Sequence, residues 1–294
     1  MEWLNRMKEA LDHIERNLDR RLEMEEIAKT AYSSPFHFQR MFLMLTGMTV
    51  AEYIRKRRLT LAAQELATSS SRVLDVALKY GYDSPESFSK AFRKIHGISP
   101  SEARHPGVRL KAFPRITFHL SLKGDKGMDY RIVKKEAFTV IGKSIQVTCR
   151  DGENPLQIPK FWEKSHRDGT IAKLASIGTG ENLLGIILDM KPDKGDYAYM
   201  IGTETDQTVP EENFTLRTIP ASTWAIFTCV GTVPGAIQTM FRRIFQEWFP
   251  ATGYEHSGAP ELEVYPPGDT MAEDYQCEVW IPIMKKSTAD KPCI

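Results

Sequence analysis

One stretch within the first hundred residues of this chain occurs twice, and nothing else in the sequence limits the fold as strongly. "YSSPFHFQRMFLMLTGMTVAE" (32–52) lies over "YDSPESFSKAFRKIHGISPSE" (82–102), fifty residues on and without a gap. Tyr32/Tyr82, Ser34/Ser84, Pro35/Pro85, Phe38/Phe88, Phe42/Phe92, Gly47/Gly97 and Glu52/Glu102 coincide. In each copy serine reads as a helix N-cap, followed by proline at the first helical position, where its missing N–H costs nothing. The phenylalanines, at i and i+4, form a buried stripe. Gly47 and Gly97 supply the left-handed residue that stops a helix. Thr49 to Glu52 and Ser99 to Glu102 then read as capping boxes that open the next helices.

A shorter amphipathic helix precedes each copy, "MEEIAKTA" (24–31) and "RVLDVALKYG" (72–81). Helix, tight turn and capped second helix is the helix-turn-helix arrangement. The long helix predicted for "TVAEYIRKRRLTLAAQELAT" (49–68) holds the two units at a fixed separation. With Phe38 and Phe42 facing inward, Phe36, Gln39, Arg40 and Leu43 share the outer face of the first reader, with His37 beside them. Gln and Arg suit bidentate contact with adenine and guanine edges, and Phe36 can pack on a thymine methyl. The second reader presents Glu86, Ser89, Lys90 and Arg93; Glu86 can accept from cytosine. Lys94, the caps Ser34 and Ser84, and Lys56 and Arg57 of "RKRR" are the predicted phosphate contacts, Arg93 being suited to phosphate as well. The plainer reading is that such side chains are merely the solvated faces of helices. Duplication at fixed spacing favours double-stranded DNA.

Charge agrees. The net +1 conceals 22 Lys and Arg against 15 Asp and Glu in residues 1–127, and 17 against 23 in residues 128–294. A basic half joined to an acidic half implies a polyanion partner for the first. No apolar run reaches the roughly 18–20 residues of a membrane span, and the charged start is unlike a signal peptide. Cys149, Cys229, Cys277 and Cys293 lie far apart with no CxxC, so neither a metal site nor a disulfide framework is expected. No cofactor is implied, and a cytoplasmic location is expected.

With these residues in view, 1–105 resembles the DNA-binding domain of the AraC/XylS transcription regulators of bacteria, two helix-turn-helix units joined by a long helix. The likeness is greatest to stress-response activators carrying "WHLQRMF" where this chain has "FHFQRMF". The resemblance implies that Phe36, Gln39 and Arg40, then Glu86, Ser89 and Lys90, enter consecutive major grooves. Ala31 stands where the second copy has Gly81, and Pro85-Glu86 replaces a commoner polar pair.

Residues 128–286 alternate like strands between helical stretches. "FTLRTIPASTWAIFTCVG" (214–231), "PGAIQTMFRRIFQEWFP" (234–250), "PELEVYPPG" and "DYQCEVWIPI" repeat an order already met from 128 to 205, and "DYAYMIG" at 196 echoes "DYQCEVWIP" at 274. Two βαββ halves in one antiparallel sheet system, with helices on one side, follow. There is no Rossmann glycine pattern, P-loop or nucleophile elbow, so no catalytic residue is assigned. In "YQCEVWIPI" period two sets Cys277, Val279, Ile281 and Ile283 toward the helices and Glu278 and Trp280 away from them. A carboxylate among rings suits a bulky apolar cation. The predicted ligand residues are Glu278, Trp280, Glu263, Tyr197, Tyr199, Trp224 and Tyr265, with Glu261 a lesser alternative and Trp162 and Tyr254 further aromatics. His166 and His256 read as surface residues. This half resembles the gyrase-inhibitor-like ligand-binding domain. The resemblance implies a glutamate on a late strand, in an aromatic cleft that receives hydrophobic, often cationic compounds. Position favours Glu278, with Glu263 as competitor. Some members of that family hydrolyse small electrophiles.

The expected protein is therefore multidomain. An all-α double helix-turn-helix domain (1–108) is followed by a linker (109–127), an α+β duplicated βαββ domain (128–286) and a tail (287–294). The expected function is transcription regulation, activation included, by a non-enzyme whose partners are DNA, a small-molecule effector and RNA polymerase. The alternatives are a tethered hydrolase and a protein-binding scaffold.

Overall fold

A computed structural model describes residues 2–117, 127–148 and 154–286. Residues 118–126 of the predicted linker, the tail, Cys149 and Cys293 lie outside them. The chain divides into two units: Met1–Phe38 with Thr49–Leu122, and Gln39–Met48 with Lys123–Ile294.

The first unit is helical: α1 (Glu2–Arg16), α2 (Met24–Thr30), α3 (Pro35–Thr46, shared between the units), α4 (Val50–Thr68), α5 (Val73–Lys79) and α6 (Pro85–His96). The predicted caps form. Ser84 Oγ accepts from the Ser87 N–H at 3.1 Å and Ser34 Oγ from the His37 N–H at 3.3 Å. Gly47 and Gly97 take φ of 71° and 79°, which a side chain would disfavour. Phe38, Phe42, Phe88 and Phe92 are buried as the i, i+4 pattern requires, each such ring contributing about 1.5–3 kcal/mol. The second capping box closes in both directions, between Ser99 and Glu102. It opens only a 3-10 turn, Glu102–Arg104, rather than the expected helix. In the first copy Thr49 caps the Glu52 N–H, while the Glu52 side chain turns to Lys56.

The Ala31/Gly81 difference is absorbed locally. Helix α2 runs one residue further in register than α5, and the left-handed residue moves from the Gly81 position to Tyr32, at φ 50°. The described start of the predicted linker is pinned to α4. Arg57 donates to the Phe113 carbonyl, Phe113 N–H to Thr60 Oγ1, and Ile116 N–H to the Tyr53 hydroxyl.

The second unit holds β1 (Tyr130–Lys135), β2 (Phe138–Thr148), α7 (Asn154–Arg167), α8 (Thr170–Ile177), β3 (Leu183–Lys191), β4 (Asp196–Glu204), β5 (Thr215–Ile219), β6 (Ser222–Val230), α9 (Gly235–Arg243), β7 (Tyr254–His256), β8 (Glu261–Tyr265) and β9 (Gln276–Lys285). A wider π turn, Ile244–Trp248, extends α9. Among the described residues nine strands form one antiparallel sheet in the order β1-β6-β9-β8-β3-β4-β2-β5, with β7 beside β9. The expected halves are β2-α7-α8-β3-β4 and β6-α9-β8-β9. Each is preceded by a strand that pairs with the other half: β1 with β6, and β5 with β2.

The duplication holds to the residue. Leu184 pairs with Gly202 and Gly185 with Ile201 in the first half; Leu262 pairs with Trp280 and Glu263 with Val279 in the second, 78 residues later at every position. The halves meet at β3 and β8, where Gly185 faces its own repeat counterpart, Glu263. Cys277, Val279, Ile281 and Ile283 are buried, as period two requires.

Candidate functional site

The two predicted readers differ in what they expose. On α6, Glu86, Lys90 and Arg93 are exposed and Ser89 half-buried, and with Pro85 they line one shallow depression. Lys94 is exposed beside them. On α3, Phe36 and Gln39 are half-buried, whereas His37, Arg40 and Leu43, all expected on an outer face, are buried. Arg40 lies within the Gln39–Met48 segment of the second unit. Its Nε and Nη2 donate to the two carboxylate oxygens of Glu261 at 2.8 and 2.7 Å, and its guanidinium lies 5.0 Å from the centre of the Phe245 ring. Burial raises the Glu261 pKa, but the Arg40 charge and His256, with Nε2 3.0 Å away, outweigh it and hold the carboxyl at about 2. As described, Arg40 is therefore engaged by a carboxylate and not free for a base. His256, expected at the surface, is buried beside that pair.

The phosphate assignments also divide. Arg57 is a clamp inside the helical unit, bidentate on Glu15 at 2.8 and 2.8 Å and donating to Phe113. It is poorly placed to meet phosphate, because all three of its nitrogens already donate within the unit and its side chain is mostly covered. Lys56 pairs with Glu52 at 2.6 Å and lies over the Phe113 ring. The caps Ser34 and Ser84 sit at the starts of α3 and α6, where backbone N–H groups favour an anion.

In the sheet unit the carboxylate favoured by position is not the one the fold isolates. Glu278 is half-buried, 2.9 Å from Arg131 and accepting from Trp280 Nε1 at 2.8 Å, so its charge is already answered. Trp224 is fully buried in the apolar cluster of Leu184, Ile186, Met200, Leu262 and Val264, on the Trp280 side of the sheet. It is core, not ligand surface. Trp280 packs against that cluster.

Glu263 lies on the opposite face, which the helices cover. Its Oε2 accepts from the Tyr199 hydroxyl at 2.5 Å and the Tyr265 hydroxyl at 2.9 Å. Trp162 of α7 donates from Nε1 to the Tyr199 oxygen at 3.0 Å and stands edge-on to Tyr265, centroids 5.0 Å apart. Tyr197 is buried two residues along from Tyr199 on the same face of β4. Gly185 makes the cluster possible: a methyl there would run into the Tyr199 hydroxyl and the Glu263 carboxylate. Burial raises the Glu263 pKa to about 7; the two phenol hydrogen bonds oppose this, and the like charge of Glu261 adds to it. Burial and that carboxylate push both phenols well above their ordinary values, which keeps them donors. Trp162 and Gly185 were not among the predicted ligand residues. The 78-residue offset, which lays Gly185 on Glu263, was the available signal for Gly185.

Among the described residues there is no cluster fit for a metal ion, and no helix is long and apolar enough to cross a membrane.

Residues 131–283 match the family described as integron-associated effector binding protein, and residues 27–105 match a helix-turn-helix domain family. The HTH-type transcriptional activator AarP of Providencia stuartii is 46% identical over 95 residues, covering 32% of this chain and 70% of its own. The regulatory protein SoxS of Salmonella typhimurium is 40% identical over 95 residues, covering 32% of this chain and 89% of its own. A solved structure of SAV2435 bound to tetraphenylphosphonium covers 53% of this chain and 94% of its own at 26% identity, with a TM-score of 0.48. The chain belongs to the AraC-type DNA-binding transcription regulators and carries an effector-binding domain of the integron-associated, gyrase-inhibitor-like family.

Proposed function

We propose that the effector is a lipophilic cation and that Glu263 receives it. One observation supports this above the rest: a buried carboxylate that accepts from two phenols, at a pKa of about 7. Such a group is costly to ionise until a cation arrives, and Tyr199, Tyr265 and Trp162 offer that cation ring faces. Trp162 touches both phenols that hold the carboxylate, so a ligand that reaches Glu263 between those rings has to shift the indole in this reading.

The sign of the pH dependence follows. The folded Glu263 pKa is raised above the ordinary 4.5, so this group's contribution to stability is full below pH 4.5 and is lost as pH climbs to about 7. Cation binding needs the ionised form and expels the proton. Affinity for tetraphenylphosphonium should therefore rise about tenfold between pH 6 and pH 8 and level off above. Calorimetric titration across that range measures it. Glu263→Gln should weaken binding and flatten the profile; a pH-independent affinity that the variant leaves intact overturns the assignment. Binding without consumption of the ligand separates an effector site from a hydrolase.

For DNA, Gln39, Arg40 and Phe36 on α3, and Glu86, Ser89 and Lys90 on α6, read neighbouring major grooves of one asymmetric site in this proposal. Arg40 is buried where it holds Glu261, so meeting a guanine edge requires that cover to open, and the two are alternative states of one side chain. Glu261 lies two residues from Glu263 on β8, so effector occupancy bears directly on that choice. An action through RNA polymerase and a cytoplasmic location belong to the same reading.

A further inference from the structure

The face of the sheet away from Glu263 holds a cavity of about 310 Å3. Leu184, Leu262 and Val264 are its apolar lining, and Phe138 and Trp280 supply aromatic walls. One cation is already there. The Lys135 ammonium lies 4.0 Å from the centre of the Phe138 ring and 5.7 Å from that of Trp280, and 2.7 Å from Glu204 Oε2. Two ring faces and a carboxylate are the parts of an ammonium-recognition box, the rings attracting the charge and the carboxylate matching it. The chain fills that box from the end of β1 with a tethered side chain. Both members of the ion pair remain partly exposed, 30% and 40%, so the pair is weakly held.

We propose that this cavity is a second ligand site, for a small organic ammonium with an apolar body, and that Lys135 occupies it as an internal competitor. The ligand's cationic head replaces the lysine between Phe138, Trp280 and Glu204. Its body enters over Leu184, Leu262 and Val264. The two sites lie back to back through β8, since Leu262 and Val264 alternate along it with Glu261 and Glu263. This inference does not rest on the assignment of Glu263.

The test is a calorimetric titration of the full chain with benzyltrimethylammonium chloride. Every protein in it carries Glu263→Gln, so that the first site cannot contribute charge. Lys135→Met removes the competing charge from the box. If the lysine fills it nine-tenths of the time, affinity rises about tenfold. Adding Trp280→Leu or, separately, Phe138→Leu to that variant should abolish the gain, with circular dichroism confirming that each variant is folded. Unchanged or weaker binding in Lys135→Met overturns the proposal, as does a gain that survives the loss of either ring.

Discussion

Arg40 and Lys90 stand at the same position of the two repeats, yet one is buried on a carboxylate and the other is exposed on a helix face. Helices α3 and α6 share their proline, their i, i+4 phenylalanines and their terminal glycine. What separates them is the outer face. That of α6 is charged, Glu86, Lys90 and Arg93, and stays in water. That of α3 carries Phe36, Gln39, Arg40 and Leu43, apolar at both ends and polar only in the middle. An amphipathic helix with a second apolar side tends to be buried on that side too, and a guanidinium carried along needs a paired carboxylate. Copying a unit preserves its inner grammar and leaves the outer face open to diverge.

The comparison can be broken most forcefully at Glu261. Removing one partner of a buried, bidentate pair strands the other charge, so Glu261→Ala should cost about 3–5 kcal/mol in denaturant unfolding if Arg40 stays where it is. A small loss accompanied by tighter DNA binding would show that Arg40 moves readily to a second partner. Arg40→Ala comes next: it should relax base preference at one position of a selected DNA site by about 1–3 kcal/mol. Lys90→Ala should weaken binding while leaving stability within about 0.5 kcal/mol of the parent, because its side chain is exposed. Equal stability losses in both variants would abolish the contrast. The smallest effect concerns salt. Lys94→Ala should reduce the slope of log affinity against log salt by about 0.9, as one lost phosphate contact does. Arg57→Ala should leave that slope alone and lower the melting temperature instead, since its donors go to Glu15 and Phe113.

Local rules carried the sequence reading where the cause was local. Ser84 with Pro85, the phenylalanine stripes and Gly97 each name their structure through a cap, a spacing or a backbone angle. Period two in "YQCEVWIPI" likewise told which side of β9 is apolar. The reading failed where burial depends on what lies across a strand pair. Glu278 and Glu263 look alike in sequence, each a carboxylate on an alternating strand near rings. Arg131 on β1, far away in the chain, answers Glu278, while Gly185, in register on β3, leaves the space that encloses Glu263. Trp224, buried in the apolar cluster, follows the same rule: an aromatic on a strand has a definite face only once the sheet's pairing is known. Arg57 illustrates the converse, a basic run that looks like a phosphate patch until α1 and the segment after α6 supply its partners.

By itself the sequence determined two duplications, the helical grammar of the first and the strand alternation of the second, because caps, periodicity and glycine angles act between residues only a few positions apart. Only the tertiary structure decided which charges are answered and which are left waiting. Desolvation and pairing depend on neighbours that the fold brings from far along the chain, as it brings Glu261 to Arg40 across 221 positions and Tyr199 to Glu263 across 64.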